Sequence, residues 1–296
     1  MKLAVIMPVF NGLAFTRKSL ANLAEAIGNV DKDLLTVDTL VVDDGSTDGT
    51  GDFIRLAYPG CIVLQGNGNL WWSGSMNVGA RFACEELKAD YVALWNNDIL
   101  CEPDYFNILL GIMEKNDDHA VIGSKIYAKE NLVWSMGGHF NPYSGKKVQL
   151  GSFAPDGEQF DHVTEADWLP GMGTIVHTDV IRRIGYWDDV NFPQYHGDSD
   201  FTYRARLAGY SVRVYPGLKI WNDITNTGLE HKGSFKVLLH SMKHIKSYYN
   251  IRIDCLFYKK FARSPFAYFE LLKKYGRLTG GFFKWKILNY LGVQRK

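Results

Sequence analysis

The chain of 296 residues carries 33 Lys+Arg against 32 Asp+Glu, with 46% hydrophobic and 22% charged residues. That balance excludes a disordered, collagen-like or low-complexity chain and leaves room for one large α/β domain with an appendage, or for two modest domains. The net charge of +1 conceals a split, because residues 232–296 hold 15 Lys+Arg against only Asp254 and Glu270 while residues 1–231 hold 18 against 30.

In chain order, "KLAVIMPVF" reads as a strand running into Asn11-Gly12 rather than into a signal-peptide cleavage site. "AFTRKSLANLAEAIG" has helical spacing with Gly28 as its stop, and "LLTVDTLVVDDGS" brings in the next strand. "TGDFIRLAY" reads as a short helix, "CIVLQG" as a strand, "SMNVGARFACEELKA" as a helix and "YVALWNND" as another strand. Alternation of this kind predicts a mainly parallel sheet with helices on both faces, and such sheets bind ligands at the C-terminal ends of their strands. Three polar clusters, 8–11, 43–48 and 96–98, fall at those ends.

From about 120 to 230 turn-rich stretches such as "GGHFNPYSGKK" separate aromatic segments, which predicts antiparallel strands and loops forming a second wall of the cleft. Beyond 233 the pattern is helical, basic and aromatic. The expected division is therefore 1–232 as one domain, in halves 1–115 and 116–232, followed by a basic helical appendage over 233–296. No uncharged run reaches the roughly 18 residues of a spanning helix, so a cytoplasmic protein is expected. Cys61, Cys84, Cys101 and Cys255 lack CxxC spacing and are expected to be buried free thiols.

Several familiar signatures fail. "GNGNLWW" has Trp71 at the third glycine position of a dinucleotide fingerprint, and "GKK" at 145–147 lacks the first glycine and the Ser/Thr of a P-loop. His240 and His244 are four apart, but Ser241 stands where a zinc protease needs glutamate. "VVDDGSTDGT" at 41–50 is more informative: Ser46 or Thr47 can cap a helix, which leaves Asp43 and Asp44 at the strand end to accept hydrogen bonds from a base or a ribose.

Taken in order, "PVFNG", "VVDDGSTDGT", "NGNLWWSGSMNVGA", "LWNNDI" and "GDSDFTYRARLAGY" resemble the inverting family-2 nucleotide-sugar glycosyltransferases of GT-A fold. Within them the chain is similar to the rhamnosyltransferase-like branch that builds bacterial surface polysaccharides. The resemblance spans roughly residues 3 to 235 and implies a hexosyl-type transfer from a UDP- or dTDP-sugar to a saccharide acceptor, lipid-linked in this branch. By position it implies that Val9 and Asn11 border the nucleotide, that Asp43 binds the base with Asp44 beside it, and that the loop from Gly68 and Asn69 to Asn77 closes over ribose and diphosphate. Asn97 belongs to the same donor site. Asp98 matches the metal carboxylate, holding Mn²⁺ or Mg²⁺ at the diphosphate, and Asp198 matches the catalytic base. Trp168 and Gly171 in "WLPGMG", with Asp200, are expected on the acceptor side, where Trp168 can equally be core and Asp200 can orient or cap.

Two positions depart from the family. Gly197 replaces the glutamate that precedes the base, and Asn96 and Asn97 leave the metal motif a single carboxylate. A hard cation whose other ligands are phosphates and waters needs no more than one or two protein carboxylates. His231 in "EHKGS" stands where the family often has a histidine, as a ligand or as a surface residue. Rival readings are a sugar nucleotidyltransferase and a carbohydrate-binding relative without activity. The appendage interleaves its basic residues with Phe257, Tyr258, Phe261, Phe266, Tyr268, Phe269, Phe282, Phe283 and Trp285. That pattern suits an anionic membrane surface, on the inner face, better than nucleic acid, and leaves packing on the protein or in a homo-oligomer open.

Overall fold

A computed structural model of the chain describes residues 1–223 and 234–291. The predicted alternation is present: β1 (Lys2–Val9), α1 (Leu13–Gly28), β2 (Thr36–Asp43), α2 (Thr50–Ala57), β3 (Ile62–Gln65), α3 (Trp71–Glu85) and β4 (Tyr91–Leu94). β1 pairs in parallel with β2 and β4, and β2 with β3. The near-continuous apolar run of β1 follows from burial on both faces. Leu3, Val5, Met7 and Val9 join Leu20 and Leu23 of α1 in one core, whereas Ala4 and Ile6 join Met76 and Ala80 of α3 in the other.

The second half adds β5 (Ile99–Cys101), α4 (Tyr105–Met113), β6 (Val121–Lys129), β7 (Leu132–Ser135), β8 (Gly138–Phe140), β9 (Lys147–Gln149), β10 (Ala154–Pro155) and β11 (Thr164–Glu165). β12 (Thr174–His177), α5 (Thr178–Ile184), α6 (Gly197–Leu207) and β13 (Val212–Asn222) complete it. β12 inserts antiparallel between β4 and β6, giving the order β3-β2-β1-β4-β12-β6, and β13 runs parallel to β6 before its end turns antiparallel onto β5. This is the mixed, partly antiparallel extension that the turn-rich pattern predicts.

Trp95 explains how the apolar strand β4 gives way to polar residues. Its side chain is fully buried against Tyr105 and Phe106 of α4, with ring centroids 5.4 and 6.2 Å away. The plug fixes the chain just where Asn96, Asn97 and Asp98 leave the sheet.

The chain divides into two compact units, Met1–His139 with Gln149–Thr225, and Phe140–Val148 with Asn226–Lys296. In the second unit, α7 (Phe235–Ser241), α8 (Ile251–Phe261) and α9 (Tyr268–Tyr290) form the helical C-terminal segment. Segment 140–148 is held there by the Tyr258 hydroxyl, which donates to Gly145 O at 2.6 Å, and by Arg263 N–H on Pro142 O at 2.8 Å. Gly145 has φ 75°, and a Cβ on it would collide with the Ala267 carbonyl, so only glycine fits.

Asp254, nearly buried on α8, accepts from Lys274 Nζ at 2.7 Å and from the Tyr275 hydroxyl at 2.6 Å. Leu271, Tyr275, Leu278 and Phe282 form the buried face of α9, while Phe269, Leu272, Phe283, Ile287 and Tyr290 are exposed. Among the described residues no helix is long and apolar enough to cross a membrane. Cys84 and Cys101 are buried thiols and Cys61 is half-buried, but Cys255 is exposed. The expectation fails there because Asp254, Phe257, Tyr258 and Phe261 occupy the inner face of α8 and turn Cys255 outward.

Candidate active site

At the end of β2 the carboxylates organise the neighbouring loops. Asp43, 2% exposed, accepts the Ser46 N–H at 2.9 Å and lies against Gly51 so closely that a Cβ there would collide with its carboxylate. Asp44 accepts three backbone N–H groups, from Gly68 and Leu70 at 2.8 Å and Trp71 at 3.1 Å. It thereby caps α3, whose own N-cap residue, Leu70, has no acceptor to offer. This external cap lets α3 begin at Trp71, four residues before the sequence pattern starts it. In the same loop Gly68 turns the chain at φ 84° and Asn69 Oδ1 accepts the Trp71 indole N–H at 3.0 Å.

Asn11, itself left-handed at φ 49°, accepts the Thr47 N–H at 2.7 Å while its own N–H donates to Ser46 Oγ at 3.1 Å. Asp48 accepts Leu13 N–H at the start of α1 and both the N–H and hydroxyl of Thr50 at the start of α2, at 3.0, 3.0 and 2.6 Å. The Thr50 hydroxyl is the main reason its carboxyl lies below the ordinary range. Ser46 and Thr47 do not cap α2 as the sequence suggested, because Gly49 takes the N-cap position with φ 84° and Asp48 reaches over it. Val9 is buried and registers with Asp43, so the loops after β1, β2 and β3 form one tied floor.

The end of β4 is arranged differently. Asn96 Oδ1 accepts the Trp72 indole N–H at 3.0 Å, and Asn97 Nδ2 donates to Thr16 Oγ1 at 2.9 Å. Each amide is thus bonded to a neighbour through one of its two polar atoms. Asp98 Oδ1 is buried with no hydrogen-bond partner, and burial, with a smaller contribution from the charge of Asp223, pushes the carboxyl up to about 6. Asp98 lines a cavity of about 280 Å³ with Asn222, Asp223, Lys18, Lys129 and Trp221. A buried carboxylate oxygen lacking a donor fits a hard divalent cation, which binds oxygen ligands.

Asp198 lies in the first turn of α6. Its Oδ2 accepts the Gly171 N–H at 2.9 Å and its Oδ1 the Ser199 N–H at 2.6 Å. Gly171 packs under Trp72, where any Cβ would collide with the indole. A continuous series of contacts, Asn96 to Trp72 to Gly171 to Asp198, therefore joins the β4 strand end to α6. Gly197 is packed on Ser73 of α3, whose hydroxyl donates to Phe192 O at 2.6 Å, and a Cβ at 197 would strike Ser73 Oγ. A glutamate before Asp198 is excluded by this packing. His196, left-handed at φ 65°, sits at the N-cap with Nδ1 3.3 Å from Ser199 Oγ.

Other sequence-predicted positions have interior roles. Asp200 is fully buried and accepts Arg204 Nε at 2.8 Å, while the remaining Arg204 nitrogens hold the Ile184 and Tyr186 carbonyls. Trp168 is 7% exposed. Asn77 is buried, with both ends of its amide bonded to the Trp187 backbone at 2.9 Å. His231 lies outside the described residues. Asp223, beside Asp98, was not singled out from the sequence.

Among the described residues one group has three ligating side chains close together, His119, His177 and Asp179. His177 pairs with Tyr91, the first residue of β4, so this group sits at the opposite end of the sheet from Asp98. Its two imidazoles stack with ring centroids 3.7 Å apart, and His177 Nδ1 accepts the Asp179 N–H at 3.2 Å.

The sheet order, with loops converging at the strand ends, defines a GT-A-type α/β scaffold. The chain belongs to glycosyl transferase family 2, which matches residues 4–163. It is similar to the probable glycosyltransferase YdaM of Bacillus subtilis (strain 168), 23% identical over 239 residues, covering 76% of this chain and 51% of YdaM. Its fold is similar to that of the mannosyltransferase PcManGT from Pyrobaculum calidifontis in complex with GDP-Man and Mn²⁺, with TM-score 0.58, 13% identity, and coverage of 93% and 69% of the two chains. It is also similar to GalNAc-T7 with UDP, GalNAc and Mn²⁺, with TM-score 0.59, 12% identity, and coverage of 95% and 58%. The chain spans about half the length of the curated relatives it matches.

Proposed function

We propose that the chain transfers a hexosyl group, with inversion, from a UDP- or dTDP-sugar to a hydroxyl of a saccharide acceptor carried on a lipid, in bacterial surface-polysaccharide synthesis. Asp198 is the general base, Asp98 is the carboxylate for Mn²⁺ or Mg²⁺, and the loops carrying Asn11, Asp43 and Gly68 receive the nucleotide. The observation that carries the reading is the contact series from Asn96 through Trp72 and Gly171 to Asp198, which couples the strand end bearing Asp98 to the base. The Mn²⁺ with GDP-Man in the PcManGT complex, and with UDP and GalNAc in the GalNAc-T7 complex, supports it by analogy of fold.

An acceptor hydroxyl is a poor nucleophile, so a carboxylate must take its proton as the new bond forms. Asp198 is oriented for this by two backbone N–H donors, which fix the carboxylate while leaving lone pairs for the acceptor. A divalent cation, when bound, stabilises the charge left on the departing diphosphate. Asp198→Asn should lower transfer by about 10²- to 10⁴-fold. Sugar transfer that survives in both Asp198→Asn and Asp98→Ala would sink the reading.

The lipid-linked acceptor gives the second unit a role. On α9 the exposed Phe269, Leu272, Phe283, Ile287 and Tyr290 are accompanied by Lys273, Lys284 and Lys286, a pattern suited to lying in an anionic interface on the cytoplasmic side. Flotation with anionic liposomes should recover the full chain and lose most of a Phe269→Ser, Leu272→Ser, Phe283→Ser, Ile287→Ser variant. Equal recovery of the two would refute membrane docking through α9.

A further inference from the structure

We propose that Asp223 is the second carboxylate of the cation site at Asp98, an inference that rests on Asp98 holding the donor's cation. In the β5–β13 ladder Cys101 faces Ile220, Leu100 faces Trp221 and Ile99 faces Asn222. Asp223 N–H donates to Asp98 O at 3.2 Å, which extends the same register by one pair and sets Asp223 opposite Asp98. Residues directly opposite in an antiparallel pair present their side chains on one face, with Cβ atoms about 4.5–5.5 Å apart. Like charges in that relation destabilise a sheet unless something positive lies between them.

Two further observations support a divalent cation in that place. Asp98 Oδ1 is buried and accepts no hydrogen bond, and Asp98 and Asp223 line the same cavity. Asn96 and Asn97 contribute no charge, and Asn96 Oδ1 and Asn97 Nδ2 are already bonded to Trp72 and Thr16. The second carboxylate missing from the Asn-Asn-Asp motif is thus supplied across the ladder, by a residue 125 positions further along the chain. One carboxylate from each strand, with phosphate oxygens and water, makes a hard-cation site suited to Mg²⁺ or Mn²⁺.

The test titrates Mn²⁺ into the full chain, with and without UDP, by calorimetry and by the loss of free-Mn²⁺ spin resonance signal, for the wild type, Asp98→Asn and Asp223→Asn. Asp223→Asn should weaken Mn²⁺ binding about tenfold or more and shrink the rise in melting temperature that Mn²⁺ induces. A residue with a purely structural role would lower the metal-free melting temperature and leave the Mn²⁺ affinity of the folded protein unchanged. If Asp98→Asn abolishes Mn²⁺ binding and Asp223→Asn leaves it unchanged, the role of Asp223 is overturned while that of Asp98 stands. If the wild type binds no Mn²⁺ in either condition, both are overturned.

Discussion

The ends of β2 and β4, on either side of β1, are both rich in Asp and Asn, yet they use their carboxylates in opposite ways. After β2, Asp44 and Asp48 each accept three hydrogen bonds and hold the loops and helix starts around them. After β4, each of the two amides is bonded to a neighbour through one atom, and the one carboxylate, Asp98, keeps a buried oxygen with no donor. Saturated carboxylates build a floor; the unsaturated one is the carboxylate we propose for the cation. A row of acidic residues in a motif therefore does not say which of them is functional until their hydrogen bonds are counted.

The sharpest way to break this comparison is to neutralise one carboxylate on each side. Asp98→Asn should reduce sugar transfer by about 10²-fold or more while leaving the metal-free fold at least as stable as the wild type in urea. Asp44→Asn should do the reverse, with a loss of about 3 kcal/mol in urea unfolding, because an amide cannot serve three N–H donors as a carboxylate does. If Asp44→Asn folds with wild-type stability, or Asp98→Asn is the destabilised variant, the assignment of the two strand ends is wrong.

A smaller effect is expected at Trp72, which links them. Trp72→Phe deletes the hydrogen bond to Asn96 and part of the indole over Gly171, and should cost about 1 kcal/mol. Its lowered turnover should exceed what the stability loss accounts for at saturating donor. The smallest effect belongs to Asp48, whose carboxyl lies below its ordinary value of 3.8. A depressed carboxylate contributes stability that is complete above the ordinary range and is lost as pH falls through its lowered value. Asp48→Asn should then be less stable than the wild type at neutral pH by well under 1 kcal/mol, since the group is exposed, and the difference should vanish once pH falls below the carboxyl's lowered value.

Much of the scaffold was legible in the sequence because it is local. The strands β1 to β4 and the helices between them are carried by periodicity within a single window, and Asn11, Asp43 and Asp98 fall at strand ends for the same reason. What the sequence did not carry is long-range. The cap of α3 comes from Asp44, so its first turn, beginning at Trp71, has no local signal. Asn77 and Asp200 look like polar site residues but satisfy Trp187 and Arg204 inside the fold. Asp223 gains meaning only from the register between β5 and β13, although an aspartate directly after the strand pattern "LKIWN" was the one available hint. Segment 140–148 joins the C-terminal unit through Gly145 and Pro142 carbonyls that no composition shift announces.

The packing of Gly197 on Ser73 has a consequence for the history open to this chain. A glutamate at 197 cannot be reached by one substitution, because even its Cβ would strike Ser73 Oγ. The Ser73 hydroxyl must go first, as in Ser73→Ala, and that step gives up its bond to Phe192 O before any benefit exists. The two positions are therefore epistatic, each change harmful without the other, so a laboratory selection that varies single sites should keep Gly197 while one that varies 73 and 197 together can escape it.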